Sequence, residues 1–375
     1  MNDKTIVIFS GFNQRAIIAF NRVLEKYKIK YAIVAVSKND PIFLTKYKKK
    51  VVSIRNIKEL NIEDILVSIN EVKNSIPSKE YLIVPSSEAL NRFLLKYRNI
   101  FKNIGCKIPL VEKNIYELIS DKYSFNNLCK QNGIEIPIEY KNFNNIKIPF
   151  VAKPKTYFSN SGKIFSPVII KNTNERDSFL KNHNLDDFFF QEYIKGESFY
   201  LLYYFNKKGG SIKYSQKNIV QQPNGKSIVA AIASNFHLEN ESSKYENLFK
   251  KIGFHGLIMI EVKKARNNNI YMIEANPRFW GPSQLFVDAN VPFFEYFLRD
   301  NNISIEFNEN INYKKNYDIR YFWFGGLYSV LNAGKALTFH EGNEKKILLE
   351  LPRWLSSDIY CRKDTIEYFK KELQL

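Results

Sequence analysis

The chain is poor in the residues that staple folds or bind transition metals. Its 375 residues include three cysteines, Cys106, Cys129 and Cys361, and none stands in a CxxC or Cys/His spacing. Neither a disulfide framework nor a zinc site is therefore indicated. Histidine is almost as scarce: His183, His237, His255 and His340 are isolated from one another, which leaves no Ser-His-Asp or Cys-His set for nucleophilic catalysis. No apolar run approaches the roughly 18 residues needed to cross a membrane. The opening MNDKTIVIFSGFNQ has neither a basic leader nor a cleavage site, so a cytoplasmic protein with no membrane partner is expected. The first apolar run is not followed by GxGxxG, so the dinucleotide fingerprint is missing. Internal repeats and low-complexity linkers are missing as well.

Positive charge is abundant, with a formal net charge of +18. Lysine-rich surfaces bind phosphate backbones through counterion release. Here, however, the lysines are spread along the whole length, and Lys46-Tyr47-Lys48-Lys49-Lys50 is the longest cluster. The joint richness in Lys, Asn, Ile and Tyr is the pattern of an AT-biased genome. No nucleic-acid partner is expected, although the basic balance favours small anions such as nucleotides and carboxylates. At 45% hydrophobic residues the chain is globular, and its length suggests two or three domains.

The most informative segment is GLIMIEVKKARNNNIYMIEANPR. Leu257–Lys263 and Ile270–Ala275 alternate in character around the polar Arg266-Asn267-Asn268-Asn269, which reads as a β-hairpin. A turn centred between Asn267 and Asn268 sets Glu261 opposite Glu274. Carboxylates facing each other about 5 Å apart at Cβ destabilise a sheet unless a cation lies between them. The period of two puts Met259, Glu261, Met272, Glu274 and Asn276 on one face, and Ile258, Ile260, Val262, Tyr271 and Ile273 on the other. Two carboxylates and an amide suit Mg²⁺; turned to water, the same glutamates would be a surface feature.

Around the hairpin, Lys4–Phe9, a helical pattern through Ile17 to Leu24, and Tyr31–Val36 form a βαβ opening. Tyr81–Val84, a helix through Leu90 to Leu94, and Lys107–Leu110 extend it into a parallel sheet with covering helices. From Asn114 a small α+β lobe follows, with strands Ile148–Lys153, Val168–Ile170 and Phe188–Ile194. A polar segment from Pro154 to Lys163 separates the first two and has the length of a flap. Strands near Phe199–Phe205 and Ser227–Ser234 and a helix around Tyr245–Ile252 precede the hairpin. The tail from Ile305 combines an aromatic helix, Tyr321–Leu331, with Leu348–Leu351 and a lysine-rich terminal helix.

Ser-Asp-Lys122, Phe-Val-Ala-Lys153, Gln-Glu192-Tyr-Ile194-Lys-Gly-Glu197, Glu261 and Glu274-Ala-Asn276-Pro-Arg278 stand in an order and spacing that resembles the ATP-grasp superfamily of carboxylate–amine ligases. The likeness covers roughly residues 114 to 300, and extends in type to uncharacterised polysaccharide-locus and carbamoyl-phosphate-synthase-like members. It implies an α/β and α+β chain: a Rossmann-like pre-ATP-grasp domain at 1–113, an ATP-grasp small lobe at 114–195, a large lobe at 196–304, and a C-terminal extension at 305–375 packed on the large lobe. The resemblance also implies ATP with Mg²⁺, or Mn²⁺ in its place.

By the same likeness Lys122 and Lys153 hold the nucleotide phosphates, a task suited to point charges on flexible stems. Glu192, Ile194 and Glu197 meet adenine and ribose, although relatives often carry the ribose carboxylate one residue later, where this chain has Ser198. Ser159 and Gly162 close a flap that is poorer in glycine than the family's. Glu261, Glu274 and Asn276 hold the metal. Arg278 neutralises the transferred phosphoryl group, with Lys153 as its catalytic companion; an ion pair with Glu274 is the other reading of Arg278. Lys217, Lys226 and Ser227 fall in a stretch that resembles the family's carboxylate loop and equally fits a flexible hairpin tip. The implied activity joins a small carboxylate to an amine through an acyl phosphate. The alternatives are phosphorylation of a polar acceptor, or nucleotide or nucleic-acid binding without catalysis. A homodimer is left open.

Overall fold

The computed structural model describes residues 3–141, 143, 146–310, 318–340, 347 and 349–374. Five strands form the first sheet: β1 (Lys4–Phe9), β2 (Tyr31–Ala35), β3 (Val51–Ile54), β4 (Glu80–Ile83) and β5 (Cys106–Lys107). They run parallel in the order β3-β2-β1-β4-β5. The runs TIVIF and YAIVA are buried throughout, as expected of strands covered on both faces. On one side pack Ile65, Ile69 and Val72 of the helix Ile62–Ser75 with Leu90 and Leu94 of the helix Glu88–Lys96. Asn61 and Ser87 cap these helices by accepting backbone N–H bonds. Strand order reverses between β1 and β4, so the loops leaving these strands open a crevice at their carboxyl ends.

The second sheet is antiparallel, in the order β6-β9-β7-β8, with β6 (Glu139–Tyr140), β7 (Phe150–Pro154), β8 (Val168–Ile170) and β9 (Phe188–Glu192). The helix Thr173–Asn182 covers it through a core of Phe150, Phe179, Phe188 and Phe190. His183 stacks on Phe179 at 4.4 Å, which gives that histidine a structural role.

The third sheet has seven strands among the described residues: β10 (Gly196–Phe205), β11 (Ser211–Gln221), β12 (Ile228–Ser234), β13 (Gly256–Ala265), β14 (Ile270–Asn276), β15 (Arg320–Phe322) and β16 (Thr338–Phe339). Their order is β14-β13-β10-β11-β12-β15, with β16 beside β11. Along β10 the side chains alternate between two cores. Phe199, Leu201, Tyr203 and Phe205 face the helix Asn240–Lys251, whereas Tyr200, Leu202 and Tyr204 join a core shared with the first domain. In that shared core Phe20, from the helix Gln14–Lys26, meets Phe279 and Phe294 at 5.3 and 4.9 Å between ring centroids. The parallel sheet and the large sheet are thus one packed body.

The tail departs from its expected form. Tyr321 and Phe322 lie in β15, and the helix starts later, at Phe324–Asn332. Leu348 lies outside the described residues, and Leu351–Leu355 is helical. The tail does more than rest on the large lobe, because its last part grips the first domain: Asp364 accepts hydrogen bonds from Arg22 and from Tyr47, the latter at 2.6 Å. No helix among the described residues is long and apolar enough to cross a membrane.

His237 is fully buried against Ser215, its Nδ1 2.9 Å from the hydroxyl, and burial pushes its pKa down to about 4. The folded chain then binds fewer protons than the unfolded one between pH 4 and 6.5, and stability falls as pH drops through that window. Compared with a His237→Gln variant, the parent should lose about 2 kcal/mol between pH 7 and pH 5, as read from urea denaturation at both values.

Candidate functional site

The β13–β14 register pairs Glu261 with Glu274 and Met259 with Asn276, as the centred turn predicts. Beyond Glu261 it shifts by one, so that Val262 pairs with Met272 and Ile273 is left over as a β-bulge. The shift inverts the side chains on the turn side. Met272 was expected beside the glutamates and instead enters the core with Ile258, Ile260 and Val262. Ile273 was expected in that core and instead lines a small cavity beside Glu192 and Ile194. The bulge also frees backbone groups: Met272 N–H donates to Glu135 O at 2.8 Å, and Ile273 O accepts from Lys153 Nζ at 2.7 Å. The hairpin is thereby tied to the small lobe.

Lys122 opens the helix Lys122–Gln131, and its Nζ lies 2.6 Å from Glu274 Oε2. Asn276 Nδ2 donates to Glu274 Oε1 at 2.8 Å, and Arg278 Nη2 donates to Asn276 Oδ1 at 3.0 Å. Arg278 thus reaches the amide and forms no ion pair with Glu274. The two glutamates are driven apart in acidity. Burial and the charge of Glu274 push Glu261 up, and its carboxylate accepts one hydrogen bond, from Ser198 Oγ at 3.3 Å. Burial would raise Glu274 too, but Lys122, Asn276 and Arg278 outweigh it and hold this carboxyl low. Lys153 is 4% exposed, and desolvation together with the charge of Lys122 pushes it down to about 7. Two carboxylates, an amide and three cationic groups therefore converge where the third sheet meets the small lobe.

A cleft of about 610 Å³ opens over this cluster, with Lys122, Glu274, Asn276 and Arg278 in its lining. The smaller cavity, about 80 Å³, lies between the second and third sheets and is lined by Lys153, Glu192, Ile194, Glu261 and Ile273 among others. Ile194 O accepts from Lys263 Nζ at 3.2 Å. Lys226 and Ser227 line the larger cleft. Lys217 does not. The stretch read as one loop splits, with Lys217 inside β11 and Pro223–Gly225 forming the turn. Strand parity turns Glu197 and Lys217 to the sheet face opposite Glu261, where they pair with each other. Ser159 and Gly162 stand in an exposed turn outside both linings, held by Asn160 N–H donating to Asp187 Oδ1 at 2.9 Å. The cleft wall belongs instead to Thr156, Tyr157 and the segment Ile164–Pro167.

Several lining residues escaped the sequence reading. Tyr200 pairs directly with Glu261 across β10–β13 and shares its face. The alternation along β10 would have found it, given that strand pairing. Asn13, Arg15 and Glu88 come from the starts of two helices of the first domain, and nothing local marks them. Asn13 sits at φ 57° and donates to Ser86 O and Phe279 O, at 3.0 and 2.9 Å, which joins the two crevice loops to the strand beyond Asn276.

Removing Lys122 leaves Glu274 with a buried charge and a weaker reason to keep it. Lys122→Met should raise the Glu274 carboxyl toward its ordinary range and cost about 2 kcal/mol at neutral pH. A carboxyl NMR titration and urea unfolding measure the two effects.

Residues 119–282 match the ATP-grasp domain family. No curated protein sequence matches the chain. Among solved structures, the biotin carboxylase domain of Hydrogenobacter thermophilus 2-oxoglutarate carboxylase, a complex with MgADP, ADP and bicarbonate, superposes with a TM-score of 0.61 at 15% identity, over 82% of this chain and 72% of that one. Biotin carboxylase from Campylobacter jejuni gives 0.61 at 14% identity, over 82% and 73%. N5-carboxyaminoimidazole ribonucleotide synthetase from Thermotoga maritima gives 0.54 at 17%, over 82% and 78%. At such identities these likenesses speak for the fold, and the family match falls on the segment that carries the paired glutamates and their lysines. Residues 119–282 therefore form an ATP-grasp domain.

Proposed function

We propose that the protein is an ATP-dependent carboxylate–amine ligase. A carboxylate oxygen attacks the γ-phosphorus of ATP, the bond to the β,γ-bridging oxygen breaks, and ADP leaves. An amine then attacks the acyl phosphate, loses a proton, and expels inorganic phosphate to give an amide. The observation that carries this reading is the Lys122–Glu274–Asn276–Arg278 chain beneath the cleft. Phosphoryl transfer asks little covalent chemistry of a protein and much charge placement, and these groups supply such placement.

The residues fit Mg²⁺. No set of three His, Cys, Asp or Glu side chains is placed to hold a metal among the described residues. Two carboxylates and an amide oxygen nonetheless suit a cation that completes its shell with water and phosphate oxygens. Glu261, Glu274 and Asn276 would hold it, and when bound it would neutralise the phosphate oxygens and orient them. Lys122 and Lys153 bind phosphate on the small-lobe side. Arg278 holds Asn276 in place and faces the transferred group. Glu192 and Ile194 form the wall for the base, with Ile273 as its apolar floor. The complexes of the Hydrogenobacter domain with MgADP and bicarbonate, and of the Campylobacter enzyme with an ATP analogue, support the nucleotide and metal parts of this reading.

Screening ADP release against a matrix of amino acids, sugar acids and amines should find turnover that needs both an acid and an amine. Glu274→Gln should reduce that turnover at least ~100-fold. Undiminished turnover in this variant would remove the metal assignment, and a stable phosphorylated product formed without any amine would make the protein a kinase.

A further inference from the structure

The first-domain end of the cleft holds a positive charge that the reaction proposed above does not use. Arg15 reaches the cleft from the first domain and is held on several sides. Its guanidinium lies 3.9 Å from the centroid of the Trp323 ring. Nη1 donates to Ile228 O and Tyr321 Oη, both at 3.1 Å, and Nη2 donates to Ser227 Oγ at 2.8 Å. The backbone of Gly281 also lies close, and an added Cβ there would come within 2.9 Å of Arg15 Cζ. Every one of these contacts is to a neutral group. Elsewhere in the molecule arginines find acids: Arg22 pairs with Asp364, Arg92 with Asp121 and Arg362 with Asp288. Arg15 pairs with none among the described residues. Three of its five N–H groups are used, which leaves Nε–H and one Nη2–H for a ligand.

A second observation points to the same place. Tyr200 is 6% exposed, lines the cleft, and has no hydrogen-bond partner for its hydroxyl among the described residues. It lies in the same lining as Arg278 and Arg15, and a phenol hydroxyl is able to donate. That hydroxyl opens to the cleft, where a ligand can accept from it. Arg278, Tyr200 and Arg15 thus offer donors from the phosphoryl end of the cleft to its first-domain end, and Lys226 adds charge at the latter.

We propose that the acceptor is a small dicarboxylate: one carboxylate reacts beside Arg278 and Tyr200, and the second is gripped by Nε–H and Nη2–H of Arg15. This rests on the ligase reading for the identity of the reacting end. Arg15 is then a specificity-determining residue, preorganised by Trp323, Tyr321 and Gly281. A site built around a fixed guanidinium rejects the amide of the same shape, because the cation is left unpaired.

The test uses the full chain with Mg²⁺ and a non-hydrolysable ATP analogue, and titrates matched acid and amide pairs by calorimetry: succinate and succinamate, glutarate and glutaramate, aspartate and asparagine, glutamate and glutamine. At least one diacid should bind about 10-fold more tightly than its amide. That preference should vanish in Arg15→Gln with nucleotide affinity unchanged. Gly281→Ala provides a second variant that leaves the charge in place and displaces the guanidinium, and it should shrink the preference as well. Equal binding of acid and amide in every pair overturns the proposal, as does a preference that survives Arg15→Gln. If the nucleotide analogue does not bind, the ligase reading falls, and the same pairs titrated without it still decide the role of Arg15.

Discussion

Two carboxylates set face to face, one buried and the other at the floor of a cleft, must be reconciled by their surroundings, and the arrangement around β13 and β14 follows from that requirement. Like charges at this spacing repel strongly where water is scarce. The molecule resolves the conflict asymmetrically. Glu274 receives Lys122, Asn276 and the nearby Arg278 and stays ionised, while Glu261 receives a serine hydroxyl and is pushed toward its neutral form. A divalent cation would relieve the same conflict by drawing both groups to itself. The ion pair with Lys122 keeps Glu274 charged and fixes where its carboxylate points.

That solution depends on three separate parts of the chain arriving at one point. The lysine comes from a helix start, the second lysine from the small sheet, and the glutamates from the large one. The bulge at Ile273 makes the junction exact enough to work, since its carbonyl is what Lys153 grips. Without the extra residue, Ile273 would pair within the ladder and its side chain would turn to the core. The core shared by Phe20, Phe279 and Phe294 then sets the first domain against the large sheet, so a side chain such as Arg15 has a defined position relative to the paired glutamates.

The hairpin, its facing glutamates and the order of the motifs could be read from residue spacing alone, because strand alternation and turn chemistry are local. The bulge could not, since a one-residue slip has no distinctive composition and reverses Met272 and Ile273. Glu197 and Lys217 were chosen by analogy of position, and strand parity, which depends on which neighbour pairs with which, turns them to the far face. The tail resisted for another reason. Its short strands, β15 and β16, borrow their hydrogen bonds from β12 and β11, and a two- or three-residue strand has no periodicity of its own. Arg15 and Tyr200 are visible only once helices and strands far apart in sequence are brought together.

The strand order of the large sheet also has a temporal meaning. β15 pairs with β12, β16 with β11, and Asp364 anchors the last segment to Arg22 and Tyr47 in the first domain. These pieces leave the ribosome after every strand they join. A nascent chain can form its parallel sheet and its small lobe early, but the wall around Arg15 includes Tyr321 and Trp323 and cannot close until translation has passed them. The wall around Arg15 is thus assembled last, and a polypeptide truncated before Tyr321 would keep the paired glutamates without the groups that hold this guanidinium.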